Sequence, residues 1–419
     1  MPSEVRAALL TTGTAAGFVL VIGGSNALTP LLPYYQDEHG LGAVESAAIF
    51  SMYFLALMTV LMASARTSLV RHARTVLPVA LLTGVVADLL LVTGDHIPGL
   101  LYPGRFLTGT SVALSTGAAA AMMVAIRGER GRAFIGTGSL LGAGGGMATA
   151  IVIVVFLPAP AVTVYLLHAA ALVVCLGVLL LGLKRSPGVL ARSTESVTIA
   201  PRAPVRTSIR LRVGAHLLGG LAWAVGALAV GVMPAALLDR GVTNSLLIAL
   251  GLSGACLFAS TAAGLAGFGM RRLTSSGPAI VVLGVGWSVA ACGLITGWAA
   301  AVLIGCITAG FGQAAGYRVG LARLTRGLDP IRQGQVAAGY SAASYAAAGV
   351  FVLGAGGLIA LTGTSTGMLV ISLIFAVCCV ASALTIRGTQ TPPDPADITR
   401  RPDKTPVQVA CAPILNPLN

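Results

Sequence analysis

Charge is what this 419-residue chain most lacks. Asp, Glu, Lys and Arg together make up 9% of it, against about 25% in ordinary soluble domains, so a soluble globular protein is excluded. Cysteine is scarce too: seven residues, with no CxxC pair among them. Cys175, Cys256, Cys292, Cys306, Cys378 and Cys379 fall in apolar stretches as small packing residues, and Cys411 has no partner at metal-ligand spacing. The sequence has no HExxH, no EF-hand loop and no Cys/His cluster, so no metal site is expected. It has no GxxxxGK[ST], which argues against an ATP-driven pump in this chain. No acid, base and nucleophile stand together, so the chain is read as no enzyme and as needing no cofactor.

What the chain does hold is apolar, 56% by composition, with 54 glycines. Twelve apolar stretches approach the roughly 20 helical residues that a bilayer core about 30 Å thick requires. They run over 9–32, 46–63, 77–94, 98–126, 134–157, 161–183, 213–238, 245–266, 278–295, 297–320, 336–360 and 365–386. These runs are continuous and do not alternate in ten-residue segments, which excludes a barrel and leaves helices. The expected fold is an all-α polytopic membrane protein. The first run, 9–32, is longer than a secretory signal core and eleven others follow, so cleavage is not expected.

The formal charge of +13 does not point to nucleic acid, because of where it lies. With both termini at the cytoplasmic face, 24 of the 26 basic residues and seven acidic ones fall on the inner side. Outer segments hold Arg240 against Asp37, Glu38, Glu45, Asp95 and Asp239. That asymmetry is the positive-inside pattern, and it reads as a multi-pass protein of a bacterial plasma membrane. The longest break divides the chain into an N-terminal six-helix bundle (1–183), a cytoplasmic linker (184–212) and a C-terminal six-helix bundle (213–386). A disordered cytoplasmic tail (387–419) closes it. Six is even, so both halves start at the inner face and run in the same sense, as suits two bundles that rock against each other.

Two such halves, a basic linker and glycine patches resemble the major facilitator superfamily over residues 1 to about 386. In that family the fourth helix often carries Arg followed four residues later by Gly, and here Arg105 precedes Gly109 and a run of small residues to Ala113. The fifth helix of its antiporter branch is glycine-rich, as are Gly138, Gly142, Gly144, Gly145 and Gly146 here, though the Pro of that motif is missing. Together these look like the bacterial drug/proton antiporter-like exporters. The family's loop after the second helix usually holds an Asp; residues 65–74 keep Arg66, Arg71 and Arg74 but have Leu69 near its place. The related loop with Gly267, Gly269, Arg271 and Arg272 also lacks an acid. Gly109, Gly142, Gly145 and Gly146 are read either as general tight packing or as a seam between moving halves.

Asp88 is the one acidic residue well inside a span, and Arg105 lies on the next helix. Each is about seven residues from the crossing, hence about 10 Å in from the outer end. Three readings stay open for them: a structural bridge, a bridge that alternates with protonation of Asp88, or Arg105 meeting an anionic or zwitterionic substrate. His168 and His216 are read as packed or bonded to backbone. The resemblance makes helices 1, 4, 7 and 10 the lining of a central cavity, with helix 11 beside them. That gives Ser25, Asn26, Thr29, Arg105, Thr108, Trp223, Met233, Gln313, Tyr317, Tyr340, Ser341, Ser344 and Tyr345 as candidates. Few fixed charges among hydrogen-bonding and aromatic groups favour a small, largely apolar or amphipathic organic substrate. The expectation is a monomeric secondary exporter working by alternating access in the lipid bilayer, with protons as coupling ion. The alternatives are a facilitator or importer of a small organic or weakly anionic solute, and a transport-inactive scaffold or receptor.

Overall fold

A computed structural model describes residues 3–66, 72–127, 129–185, 208–266, 275–325 and 330–387. The expected linker core, the basic loops after the second and eighth helices and the tail beyond Arg387 lie outside the described residues. Fourteen α-helices occur among those described, and no strand. The first half holds α1 (Ser3–Ala27), α2 (Leu32–His39), α3 (Ala43–Arg66), α4 (Ala73–Gly94), α5 (Leu101–Arg127), α6 (Glu129–Phe156) and α7 (Pro160–Arg185). The second holds α8 (Ile209–Gly231), α9 (Met233–Asp239), α10 (Leu246–Ala266), α11 (Ser276–Thr296), α12 (Ala299–Thr325), α13 (Pro330–Thr362) and α14 (Thr364–Arg387).

Twelve of these are long, and α2 and α9 are short continuations of the first helix in each half. Both continuations begin at a proline. Pro30 sits in a 3₁₀ turn between α1 and α2, and Pro234 opens α9. Proline cannot donate to the preceding turn, so the helix is interrupted at each site. Among the described residues, eleven helical segments are long and apolar enough to cross a membrane. The fifth long helix, α6, spans 28 residues and includes the apolar segment Leu141–Phe156.

Each half packs its helices in the same way. The third and fourth long helices pair closely, α4 with α5 and α11 with α12. Between halves, α3 packs on α13 and α6 on α10. These are the second and eleventh, and the fifth and eighth, long helices, which a two-fold relation between halves would exchange. The α3–α13 seam runs along the N-terminal part of α3 and the C-terminal part of α13. Ser51 Oγ donates to Gly349 O at 3.4 Å, Phe54 stacks on Tyr345, and a Cβ at Gly356 would meet Ala47 and Ala43. The bundles are therefore closed together at the ends that carry α2 and α9, the outer ends if both termini are cytoplasmic as the charge pattern suggests.

Candidate functional site

The fourth long helix, α5, places Arg105 deep in the first bundle, with 0% of its surface exposed. Its neighbour Gly104 faces α4, against Leu91 and the carbonyl of Ala87. One residue further is about 100° around a helix, so Arg105 points away from α4 and towards α1 and α3. There Nη1 donates to Ser25 O at 3.1 Å. Ser25 is in the last turn of α1, where carbonyls lose their helical donors and the helix dipole presents negative charge. Arg105 thus caps the interruption before Pro30. Its Cζ lies 5.2 Å from the ring centre of Tyr53 and 5.9 Å from that of Phe50, within cation–π range. Nε and Nη2 have no hydrogen-bond partner among the described residues, and no carboxylate lies within ion-pair distance of the guanidinium.

Asp88 does not meet Arg105. The two share a depth, as expected, but Asp88 sits one residue past Ala87, the residue whose carbonyl faces Gly104, and so turns towards α7. Its Oδ2 lies 2.7 Å from His168 Nδ1, and His168 Nε2 donates to Leu20 O of α1 at 2.9 Å. The bridge between adjacent helices that the sequence suggests is replaced by one between α4 and α7. The reason is azimuth, which equal depth leaves free. His168 has the backbone bond expected of it and a carboxylate as well; His216 bonds Arg212 O at 2.8 Å.

Around Arg105 the remaining helix 1 candidates serve the interruption. Asn26 Nδ2 donates to Ser25 Oγ at 3.0 Å, Ser25 Oγ donates to Ile22 O at 2.7 Å, and Thr29 Oγ1 is buried with no partner among the described residues. Thr108 turns back to Gly104 O at 3.0 Å. In the second bundle, Trp223 of α8 packs on Tyr345 of α13 with ring centres 4.4 Å apart, and on Tyr317 of α12 at 5.8 Å. Tyr317 shares a 2.7 Å hydrogen bond with Ser341, and Tyr340 donates to Tyr317 O at 3.1 Å. Gln313, buried one turn before Tyr317 and against Gly226 of α8, accepts from Cys256 Sγ at 3.7 Å.

Phe54 joins the two clusters. It lies 5.5 Å from Phe50, 5.1 Å from Tyr53 and, across the midline, 6.1 Å from Tyr345. An aromatic path therefore runs from the cation in one bundle to Trp223 in the other. Sequence reasoning confined to helices 1, 4, 7, 10 and 11 missed Phe50, Tyr53 and Phe54. Their spacing of three and four residues on one helix was the available signal. The glycines read either as tight packing or as a seam differ in what they face. Gly109 packs on the carbonyl of Tyr53, and Gly142 and Gly146 pack on α1, all within the first bundle. Gly145 has nothing within 4 Å of where its Cβ would be, and Gly144 faces Thr261 across the interface. A cavity of about 190 Å³ opens elsewhere, at the outer ends of the bundles, lined by Gln36, Ser46, Gly231, Asp239, Gly356 and Thr364 among others. It is the mouth above the closed seam and lies away from Arg105.

No protein-family model matches the sequence, and no curated protein matches it either. Among solved structures, the chain is similar to the POT family transporter PepTSo, crystallised in meso, with a TM-score of 0.68 at 12% identity. The similarity covers 93% of this chain and 99% of that one. At that identity it speaks for the fold and does not single out the drug/proton antiporter branch. The chain shares the all-α fold of that structure, with twelve long helices among the described residues.

Proposed function

We propose that this protein is a secondary transporter that moves a small organic solute bearing an anionic group and an apolar body, by alternating access and with protons as coupling ion. One observation carries the substrate reading: a wholly buried guanidinium with two nitrogens unpartnered among the described residues, set over two aromatic rings. An unpaired cation in an apolar interior is costly, and a carboxylate or similar anion relieves that cost with two parallel hydrogen bonds. The aromatic path from Phe50 to Trp223 would take the apolar body and let both bundles hold one solute. We read uptake or facilitated exchange in preference to export. The supports are the similarity to a POT family transporter and the missing Pro of the antiporter-type fifth helix.

The test uses purified full-length protein and one amphipathic scaffold carrying a carboxylate, a neutral amide or an amine. The carboxylate form should raise the thermal midpoint of the wild type and not that of Arg105→Gln. The best stabiliser is then followed in proteoliposomes under pH gradients of either sign. Accumulation on the alkaline side supports proton symport, and accumulation on the acid side restores the export reading. Equal stabilisation by the amine in both proteins would sink the anion site.

A further inference from the structure

A second polar group meets α1 at Gly24, about 100° around the helix from Ser25, whose carbonyl Arg105 reaches. Asp88, His168 and Leu20 lie at one level, each about 9–12 Å in from the outer end of its helix at 1.5 Å per residue. The Asp88 side chain is 5% exposed and that of His168 15%. The imidazole fits α1 closely: a Cβ at Gly24 would overlap His168 Cε1. Gly24 is one turn after Leu20, so the missing side chain opens a notch on the face where the Leu20 carbonyl is reached. The notch and the paired hydrogen bonds are separate observations of one fitted contact.

We propose that Asp88 and His168 hold a single exchangeable proton between them, and that this proton fastens α1 to α4 and α7. The count follows from the acceptors. A backbone carbonyl can only accept, so His168 Nε2 must carry a hydrogen to bond Leu20 O. A second hydrogen must then lie between Nδ1 and Asp88 Oδ2, whichever atom holds it, because the two are 2.7 Å apart. The pair so loaded is neutral as a unit. Release of that proton, through the more exposed imidazole, leaves a lone pair facing a carboxylate oxygen and one uncompensated negative charge in an apolar setting. The contact then turns repulsive, the ring leaves its bonding position, and α1 loses its tie to those two helices. Further protonation of Asp88 leaves both bonds possible, so the fastening persists at low pH and is lost as pH rises.

Other titratable groups near the pair are few. Tyr165 precedes His168 by one turn on α7, Arg105 lies at the same depth on α5 but faces α1 and α3, and Tyr35 is on α2. Neither α1 nor α6 presents a titratable side chain to it among the described residues. Because α1 also carries the Ser25 carbonyl that Arg105 caps, its loosening would reach the solute site. The inference deepens the proton coupling proposed above and rests on that reading for its purpose, though its test needs no solute.

Hydrogen–deuterium exchange of the full-length, ligand-free protein reads the tie directly, in peptides covering residues 18–27. In the wild type, exchange there should rise about tenfold per pH unit above the transition, beyond intrinsic base catalysis, the slope for one linked proton. Asp88→Asn should remove that extra slope and keep α1 protected, because the carboxamide can donate to Nδ1 of a neutral His168 that still bonds Leu20. His168→Gln should remove the slope as well. Nitrogen NMR of labelled histidine gives an independent reading: His168 Nδ1 protonated or sharing its proton in the wild type, and unprotonated in Asp88→Asn. An unchanged slope in Asp88→Asn, or a wild-type α1 indifferent to pH while folded, overturns the proposal. Either result would leave the solute experiments above standing, and their failure would leave this measurement intact.

Discussion

A guanidinium with one hydrogen bond to protein and no carboxylate within reach does little for stability, and mutation can show it. Replacing buried charged groups by apolar ones of similar volume is often neutral or stabilising. Arg105→Leu is therefore expected to keep the thermal midpoint of the purified protein or raise it. Affinity for a carboxylate-bearing stabiliser should fall at least about tenfold, the equivalent of one lost charge-assisted hydrogen bond. A midpoint that collapses would instead make the cap on Ser25 the residue's main role. Gly24→Ala separates packing from propensity at the neighbouring site. Alanine favours a helix over glycine by about 1 kcal/mol, so a variant that is nevertheless less stable, with the pH response of residues 18–27 lost, places the effect on the displaced His168 ring. Depth was legible in the sequence for Asp88 and Arg105, because counting from a short crossing fixes it. Partner was not, since a one-residue offset from Gly104 and Ala87 turns each side chain to a different neighbour, and that offset is visible only once the α4–α5 face is known.

At the scale of the element, hydrophobic length and the basic loops gave twelve spans and the two-half division, while small residues gave closeness without saying to what. The helix pairs α1–α6 and α3–α5 approach until backbone meets backbone, Gly146 against Gly23 and Gly109 against the Tyr53 carbonyl. In lipid, such approach is what replaces the hydrophobic drive between helices. Gly146→Ala should thus force α1 from α6 and cost about 1–3 kcal/mol, in the range of overpacking. Gly145→Ala, with nothing within 4 Å, should be neutral or slightly stabilising. Thermal midpoints of the two neighbours measured side by side check this, and equal loss in both would mean that the patch serves motion and not close packing. The sequence could not separate these two glycines because both lie in one Gly-rich run, and only the azimuth of α6 against α1 does so.

For the whole molecule, the closed α3–α13 seam is the feature on which the proposed transport cycle would have to act. The α3–α13 seam carries the aromatic path from one bundle to the other, so a solute held along that path can leave outward only if Phe54 and Tyr345 part. A Cβ built at Gly349 would lie 3.4 Å from Phe54 Cβ, close to the separation a disulfide needs, about 3.5–4.5 Å. Phe54→Cys with Gly349→Cys, in a background where the native cysteines are replaced, should therefore form a bridge under mild oxidation. The bridge pins the outer ends together while leaving each bundle intact. Flux of the identified solute in proteoliposomes should drop to the level of empty vesicles on oxidation and recover on reduction. Binding from the opposite face should survive, because the pinned state is the one seen here. Loss of flux that reduction fails to restore would reflect damage to the seam itself, which each single cysteine variant controls for. Full flux through the oxidised, quantitatively bridged protein would mean that the halves need not separate at their outer ends, and alternating access in this fold would have to be abandoned.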